Sequence, residues 1–299
     1  MKGKANAARR APDAMSQCLR NLPWCARDRR AVFFTLARSR NALSSGRHIS
    51  GAPHMPDPAG IVLILGSGPN AVASRDWDVS AVTHIVAINN AWRVRPDWSH
   101  LIHPEDFPPD RRPSACDPRQ RIVTAADYVP VQNRYGGFVY AGGTMAFTAG
   151  YWALGALRPR VMAFIGCDMV YPRQGNTHFY GTGAADPLRD DITLQNLEAK
   201  SARLALCAAM DGCHCVNLST GESRLTFPRV DPHDLPALSM AAPAPRPDLS
   251  GPLTAEATLG YHVPSGRYWE ERDRFDAVAL RQVDALWLST HEARSTALT

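Results

Sequence analysis

Two clusters in this chain hold the side chains and turns from which chemistry can be built. The first is Gly66-Ser67-Gly68-Pro69, directly after the apolar run Ile61–Leu65. Glycines at 66 and 68 let the main chain turn sharply and leave room for a ligand to approach it. Pro69 suits the first position of a helix, where its missing N–H would have no partner anyway. Free amides at such a helix start, with the positive end of the dipole, attract a phosphate or another anion. The second cluster runs from Tyr140 to Gly181. It holds Gly142-Gly143-Thr144 before a helical pattern, Asp168 at the end of an apolar run, and a polar loop carrying Tyr171, His178 and Tyr180. The Gly143-Thr144 turn offers a second set of amides and a hydroxyl to a phosphate or carboxylate. His178 is the acid–base candidate, because an imidazole titrates near neutrality. Asp168 stands where α/β enzymes gather catalytic groups, and a loop of this kind closes over a ligand.

The elements that must position these residues alternate in type. Apolar runs at 61–65, 81–89, 101–103, 121–124, 161–165 and 213–218 read as strands, the first of them buried on both faces. Helical patterns run from Thr144 to Leu154, closed by Gly155, and from Leu188 to Met210, with Asp190 and Asp191 near the start favouring the dipole. Apolar residues at 275, 279, 283 and 286 predict an amphipathic helix within 268–288. Strands alternating with helices predict the α/β class, as a Rossmann-like open, mostly parallel sheet with helices on both faces. The spacing of Gly66, Gly68 and Ala71 fits a dinucleotide fingerprint, but that fingerprint also wants an acid about 20 residues on. Asn89-Asn90 ends the second strand instead. An amide can hydrogen-bond a ribose or a base, yet the pattern argues against hydride transfer.

Charge divides the chain. Of its 33 Lys and Arg and 28 Asp and Glu, eleven and two fall within residues 1–54. That leader is Arg- and Ala-rich and lacks the apolar core of a secretory signal. Residues 1–58 are expected to be a disordered basic leader, with Met55 standing as a natural start. Residues 59–229 are expected to form the nucleotide-binding domain, 230–260 a Pro/Ala-rich linker or arm, and 261–299 a C-terminal helical segment. The body after the leader is slightly acidic, so no nucleic-acid partner is expected. No apolar run is long enough to span a bilayer. The sequence leaves oligomer formation and peripheral membrane contact open. Seven cysteines without a disulfide framework point to a reducing, cytoplasmic location. Cys207 and Cys213-His214-Cys215 lack the second ligand pair of a structural zinc site. His84 and His100 read as packing residues, while His103, Glu105 and Asp106 can line the crevice. No metal site is expected.

Taken in order, Gly66-Ser-Gly-Pro69, Ala87-Ile-Asn-Asn-Ala91, Gly143-Thr144 with its helix ending at Gly155, Ile165-Gly-Cys-Asp168 and His178-Phe-Tyr-Gly181 resemble the bacterial sialyltransferases of glycosyltransferase family 42. The resemblance covers roughly residues 60–220. It implies a Rossmann-like fold and a CMP-linked nonulosonic acid as donor substrate, with no permanently bound cofactor and a glycan or glycolipid acceptor. It implies that Ser67 and Asn89, with Gly66, Gly68, Pro69 and Asn90 around them, approach the nucleotide. Gly142, Gly143 and Thr144 would meet the cytidine or the donor carboxylate, and Tyr171 and Tyr180 the phosphate. Thr182 stands where that family has its catalytic histidine, so His178 would take the base role, with Asp168 beside it. Ser67 replaces the family's asparagine. The Gly-Ser-Gly-Pro turn with Arg95-Pro96-Asp97 is also similar to 6-hydroxymethylpterin diphosphokinase-like proteins and related motility-accessory glycosyltransferases. That likeness implies ATP and Mg²⁺, with Asp97, Glu105 and Asp106 as convergent acids. A binding module without catalysis is the third reading.

Overall fold

Six short apolar segments form one open sheet. They are β1 (Ala59–Leu65), β2 (Val82–Ile88), β3 (His100–Ile102), β4 (Arg121–Val123), β5 (Pro159–Ile165) and β6 (His214–Asn217). Their spatial order is β4-β3-β2-β1-β5-β6, and every pairing is parallel. This is the α/β, Rossmann-like arrangement that the alternating pattern predicts. The computed structural model describes residues 59–171, 175–182 and 190–298. The leader 1–58 with its start at Met55, and Leu188, lie outside the described residues.

The chain steps outward from β1 to β4, then returns to place β5 on the other side of β1. Strand order therefore reverses at β1, and the carboxyl ends of β1 and β5 frame the crevice where open sheets bind ligands. Register fixes the level of the edge. Leu65 pairs with both Ala87 and Ile165, which brings Gly66 and Gly166 side by side.

Helices cover both faces, but unequally. The named helices are α1 (Ala125–Asn133), α2 (Phe138–Ala141), α3 (Met145–Ala156), α4 (Leu197–Met210), α5 (Leu235–Met240), α6 (Ser250–Leu259) and α7 (Ala277–Leu298). The α3 helix is buried from Ala146 to Leu154, which suits a segment apolar all round. Its Gly150 lets Leu204 of α4 and Phe164 of β5 pack against it. On the opposite face, Ile61, Leu63, Leu65, Ile85 and Val161 pack with Leu235 of α5. There the β1–β2 and β2–β3 connections are 3-10 helices, Pro69–Asp76 and Asn89–Arg93, not α-helices. In the first, Ala71 and Ser74 are the buried positions, a spacing that fits three residues per turn.

Three segments differ from their sequence expectation. The helix expected from Leu188 begins only at Leu197, where the Asn196 side chain accepts from Ala199 N. Asp191 instead caps a 3-10 turn, Ile192–Leu194, by accepting from Thr193 N. Within 230–260, α5 and α6 form where a linker or arm is expected, and Leu235, Leu249 and Leu253 are buried. The C-terminal α7 buries Leu280, Val283, Asp284 and Trp287; of the expected residues 275, 279, 283 and 286, Val283 is buried, Phe275 and Ala279 are half-buried and Leu286 is exposed. Asp284 interrupts the apolar stripe, and its reason lies elsewhere. Lys200 of α4 meets it at 2.8 Å, both side chains being buried. Beside this pair, Arg203 binds Glu256 of α6 through two contacts of 2.7 and 2.8 Å. Trp287 Nε1 donates to the same carboxylate at 2.7 Å. These buried charges tie α4, α6 and α7 together.

Candidate functional site

The turn after β1 meets the turn after β5 almost without a gap. Gly66 N donates to Ile165 O and Gly68 N to Gly166 O, each at 2.8 Å. A Cβ on Gly66 would lie 2.2 Å from Gly166 O, and one on Gly68 2.9 Å from it. The space these glycines leave is thus filled by Gly166, which itself adopts φ +70°. The amides are largely spent as well. Gly68 serves Gly166, Pro69 has none, and Ala71 N donates to Gly68 O at 3.0 Å. Phosphate attraction at this helix start accordingly has little left to work with. Gly143 is similar, since a Cβ there would sit 2.5 Å from Thr193 Oγ1 and 3.0 Å from the Tyr268 hydroxyl. Gly142 has φ +91° and faces Phe147 and Lys200.

The side chains expected to act do gather at this edge. Ser67 Oγ donates to Ile88 O at 3.2 Å, joining the β1 turn to the end of β2 just before Asn89. Thr144 caps α3 by accepting from Phe147 N, and its hydroxyl donates to Met169 Sδ at 3.7 Å. Asp168 follows β5, held by Asn70 Nδ2 at 2.8 Å and Ser219 Oγ at 2.7 Å. Phe179 N donates to Ser67 O at 3.0 Å, which lays the 178–181 turn over β1. In that turn the His178 ring stacks on Tyr180 at 5.0 Å, with Tyr171 at 6.3 Å. His178 Nδ1 lies 2.9 Å from Thr177 Oγ1. Partial burial lowers the His178 pKa below the ordinary histidine value, so the imidazole is neutral at pH 7. Tyr180 is exposed.

Strain and unmet hydrogen bonding mark the same edge. Of the three left-handed non-glycine residues among those described, Asn89 (φ +53°) and Met169 (φ +54°) lie here, one after β2 and one beside Asp168, while Arg158 (φ +51°) precedes β5 at the other end of the sheet. Asparagine tolerates this region, whereas methionine pays for it. Asn70 Oδ1, Asn89 Oδ1, Asn90 Oδ1, His103 Nε2 and Asp168 Oδ1 are all buried without a partner. His103 Nδ1 faces Pro104 O at 2.8 Å and donates to it. The four oxygens among these atoms can only accept. Asn70 and Ser219 carry no chemical signature in the sequence, and only the fold brings them to Asp168.

Other expected groups lie apart. Asp97 precedes β3 and pairs with Arg95 at 2.7 Å, while Glu105 and Asp106 follow β3 at the opposite edge of the sheet. These three acids do not converge. Among the described residues no cluster of His, Cys, Asp or Glu is placed to hold a metal ion. His84 and His100 meet edge to face at 5.3 Å, with His100 against Trp152, as packing residues do. Burial pushes the Cys207 thiol up to about 11, and those of Cys167, Cys213 and Cys215 also upward, so none is a ready nucleophile. A 230 Å³ hollow lined by Asp191, Gln195, Tyr268 and Arg272 lies next to the Gly143 turn. A 540 Å³ groove lies between Pro245–Asp248 and the end of α7, and its lining includes none of the residues expected to act. Among the described residues no helix is long and apolar enough to cross a membrane. The chain matches no family model, no curated protein and no solved structure.

Proposed function

We propose that this protein is a glycosyltransferase that uses a nucleotide-activated sugar, a CMP-linked nonulosonic acid. The donor occupies the crevice at the carboxyl edge of β1, β2 and β5. The observation that carries the reading is the hydrogen bond from Phe179 N to Ser67 O, which sets a neutral imidazole and two phenols over the strand-order reversal.

The reaction is a direct displacement. His178 takes the proton of an acceptor hydroxyl on a glycan or glycolipid, and the acceptor oxygen attacks the anomeric carbon as the bond to CMP breaks. Tyr171, Tyr180 and the start of α3 face the leaving phosphate. The donor's own carboxylate balances oxocarbenium-like charge at the sugar. Thr144 and Asn89 border the donor, and no permanently bound cofactor takes part.

Isothermal titration with CMP, UDP and ATP tests this reading. Selective CMP binding is expected. ATP binding that requires Mg²⁺ would favour pyrophosphoryl transfer, and silence toward all three would leave a binding module without this chemistry.

A further inference from the structure

Asn70, Ser219 and Asp168 form a closed triangle at the ends of β1, β6 and β5. Asn70 Nδ2 donates to Asp168 Oδ2 and to Ser219 Oγ, both at 2.8 Å, and Ser219 Oγ donates to the same carboxylate oxygen at 2.7 Å. The main chain around it is pinned, with Ser219 N donating to Asn217 Oδ1 at 2.9 Å and Arg224 N to Asp168 O at 3.0 Å. This fixes the orientation of the Asn70 amide, because a flip would press its carbonyl against the carboxylate. Both Asn70 N–H groups and the Ser219 hydroxyl proton are used. What remains are two acceptors on neighbouring groups, Asn70 Oδ1 and Asp168 Oδ1, each buried without a partner.

Two acceptors on side chains in contact, one of them on a carboxylate, repel a phosphate and take donors. We infer that Asn70 Oδ1 and Asp168 Oδ1 form a subsite for a vicinal diol, each accepting from one of two hydroxyls on adjacent carbons. Ser219 is the positioning residue that holds the carboxylate. Dinucleotide enzymes read ribose with an acid at the end of the second strand. In this chain Asn89 stands there, and the acid sits across the strand-order reversal at the end of β5. Both oxygens are closed to water. The diol belongs to a nucleotide ribose or to a sugar, and the subsite rests on the nucleotide-sugar reading only in the choice of probes.

The test is titration of CMP, 2′,3′-dideoxy-CMP and free N-acetylneuraminic acid into the full chain, as wild type, Asn70→Ala and Ser219→Ala. For a ribose diol, removing both hydroxyls weakens binding to the wild type at least about tenfold. Asn70→Ala then weakens CMP by a similar factor, Ser219→Ala weakens it less, and the dideoxy compound does not distinguish Asn70→Ala from wild type. The ligand-side deletion leaves the protein intact, so the result stands even where a variant folds poorly. If CMP is silent while N-acetylneuraminic acid binds and Asn70→Ala abolishes that binding, the subsite holds and the CMP reading fails. Equal CMP and dideoxy-CMP affinities, with the same loss of N-acetylneuraminic acid, assign the diol to the sugar. The proposal is overturned if no probe binds or if binding is indifferent to Asn70→Ala. It is equally overturned if the free protein binds Mg²⁺ through Asn70, since the acceptors would then serve a cation.

Discussion

Asn70 and Asp168 stand 98 residues apart in the chain and 2.8 Å apart at the crevice. Their contact joins the turn after β1 to the turn after β5, the two strands at which the sheet reverses its order. A few residues away the same turns are locked by the Gly66 and Gly68 amides on Ile165 O and Gly166 O. The floor of the candidate site is thus a rigid backbone junction, with the acceptor side chains set on it.

That junction makes a steric prediction. Gly66→Ala drives a Cβ to 2.2 Å from Gly166 O and 2.6 Å from Cys167 Sγ, and backbone cannot swing aside as a side chain can. The expected cost is about 3 kcal/mol or more, with Gly68→Ala at about 1–3 kcal/mol. Gly221→Ala, with nothing within 4 Å, serves as the near-neutral control. Urea unfolding midpoints check the series, and a wild-type midpoint for Gly66→Ala would sink it.

His178→Ala should leave CMP affinity intact and lower transfer by about a hundred- to ten-thousand-fold. The active form is the neutral imidazole, and burial moves its pKa below 6.5. The rate should therefore rise with pH and level off, with the midpoint of its acid limb below pH 6.5. A pH–rate profile with an acid limb above that value, or unchanged turnover in the variant, removes His178 from the mechanism.

The Lys200–Asp284 pair should respond asymmetrically. Asp284→Ala strands a buried ammonium and is expected to cost about 3–5 kcal/mol. Replacing both partners with Met and Leu should be neutral or stabilising, because desolvation of the pair is then removed. Asp284 Oδ2 has no partner, which pushes the double variant toward the stabilising side. Chemical denaturation of the two singles and the double completes the cycle, and equal losses in Asp284→Ala and the double variant would contradict it.

Stability should decline as pH falls from about 6.5 to about 4. His100 is lowered to about 4 by burial, helped by His84 and Arg121 nearby, while the unfolded chain binds its proton near 6.5. In that window the unfolded state holds more protons, so unfolding is favoured by acid and the stabilisation is complete only above the unfolded value. Partial exposure limits the effect to on the order of 1 kcal/mol. Melting temperatures of wild type and His100→Phe across the window check it, since the variant should show the shallower slope.

Sequence by itself determined the fold class. Continuous apolar runs such as Ile61–Leu65 and Val161–Ile165, bounded by Gly and Pro, fit strands of a sheet covered on both faces, and Thr144 with the segment behind it marks α3. It also located Ser67, Asn89, Asp168 and the His178 loop on what proves to be one edge, because turns after parallel strands share a side of the sheet. The α5 and α6 helices were hidden, since a Pro/Ala-rich composition reads as coil and their burial comes from distant partners. The buried face of α7 is legible only in part, since Asp284 looks solvent-directed until Lys200 is brought to it. Why Gly66 and Gly68 must be glycine was likewise invisible, for a local pattern cannot say whether empty space is filled by a ligand or by Gly166. Local propensity and periodicity are written along the chain. The pairing of Asn70, Ser219 and Asp168 is a long-range contact, and only the strand order 4-3-2-1-5-6 creates it.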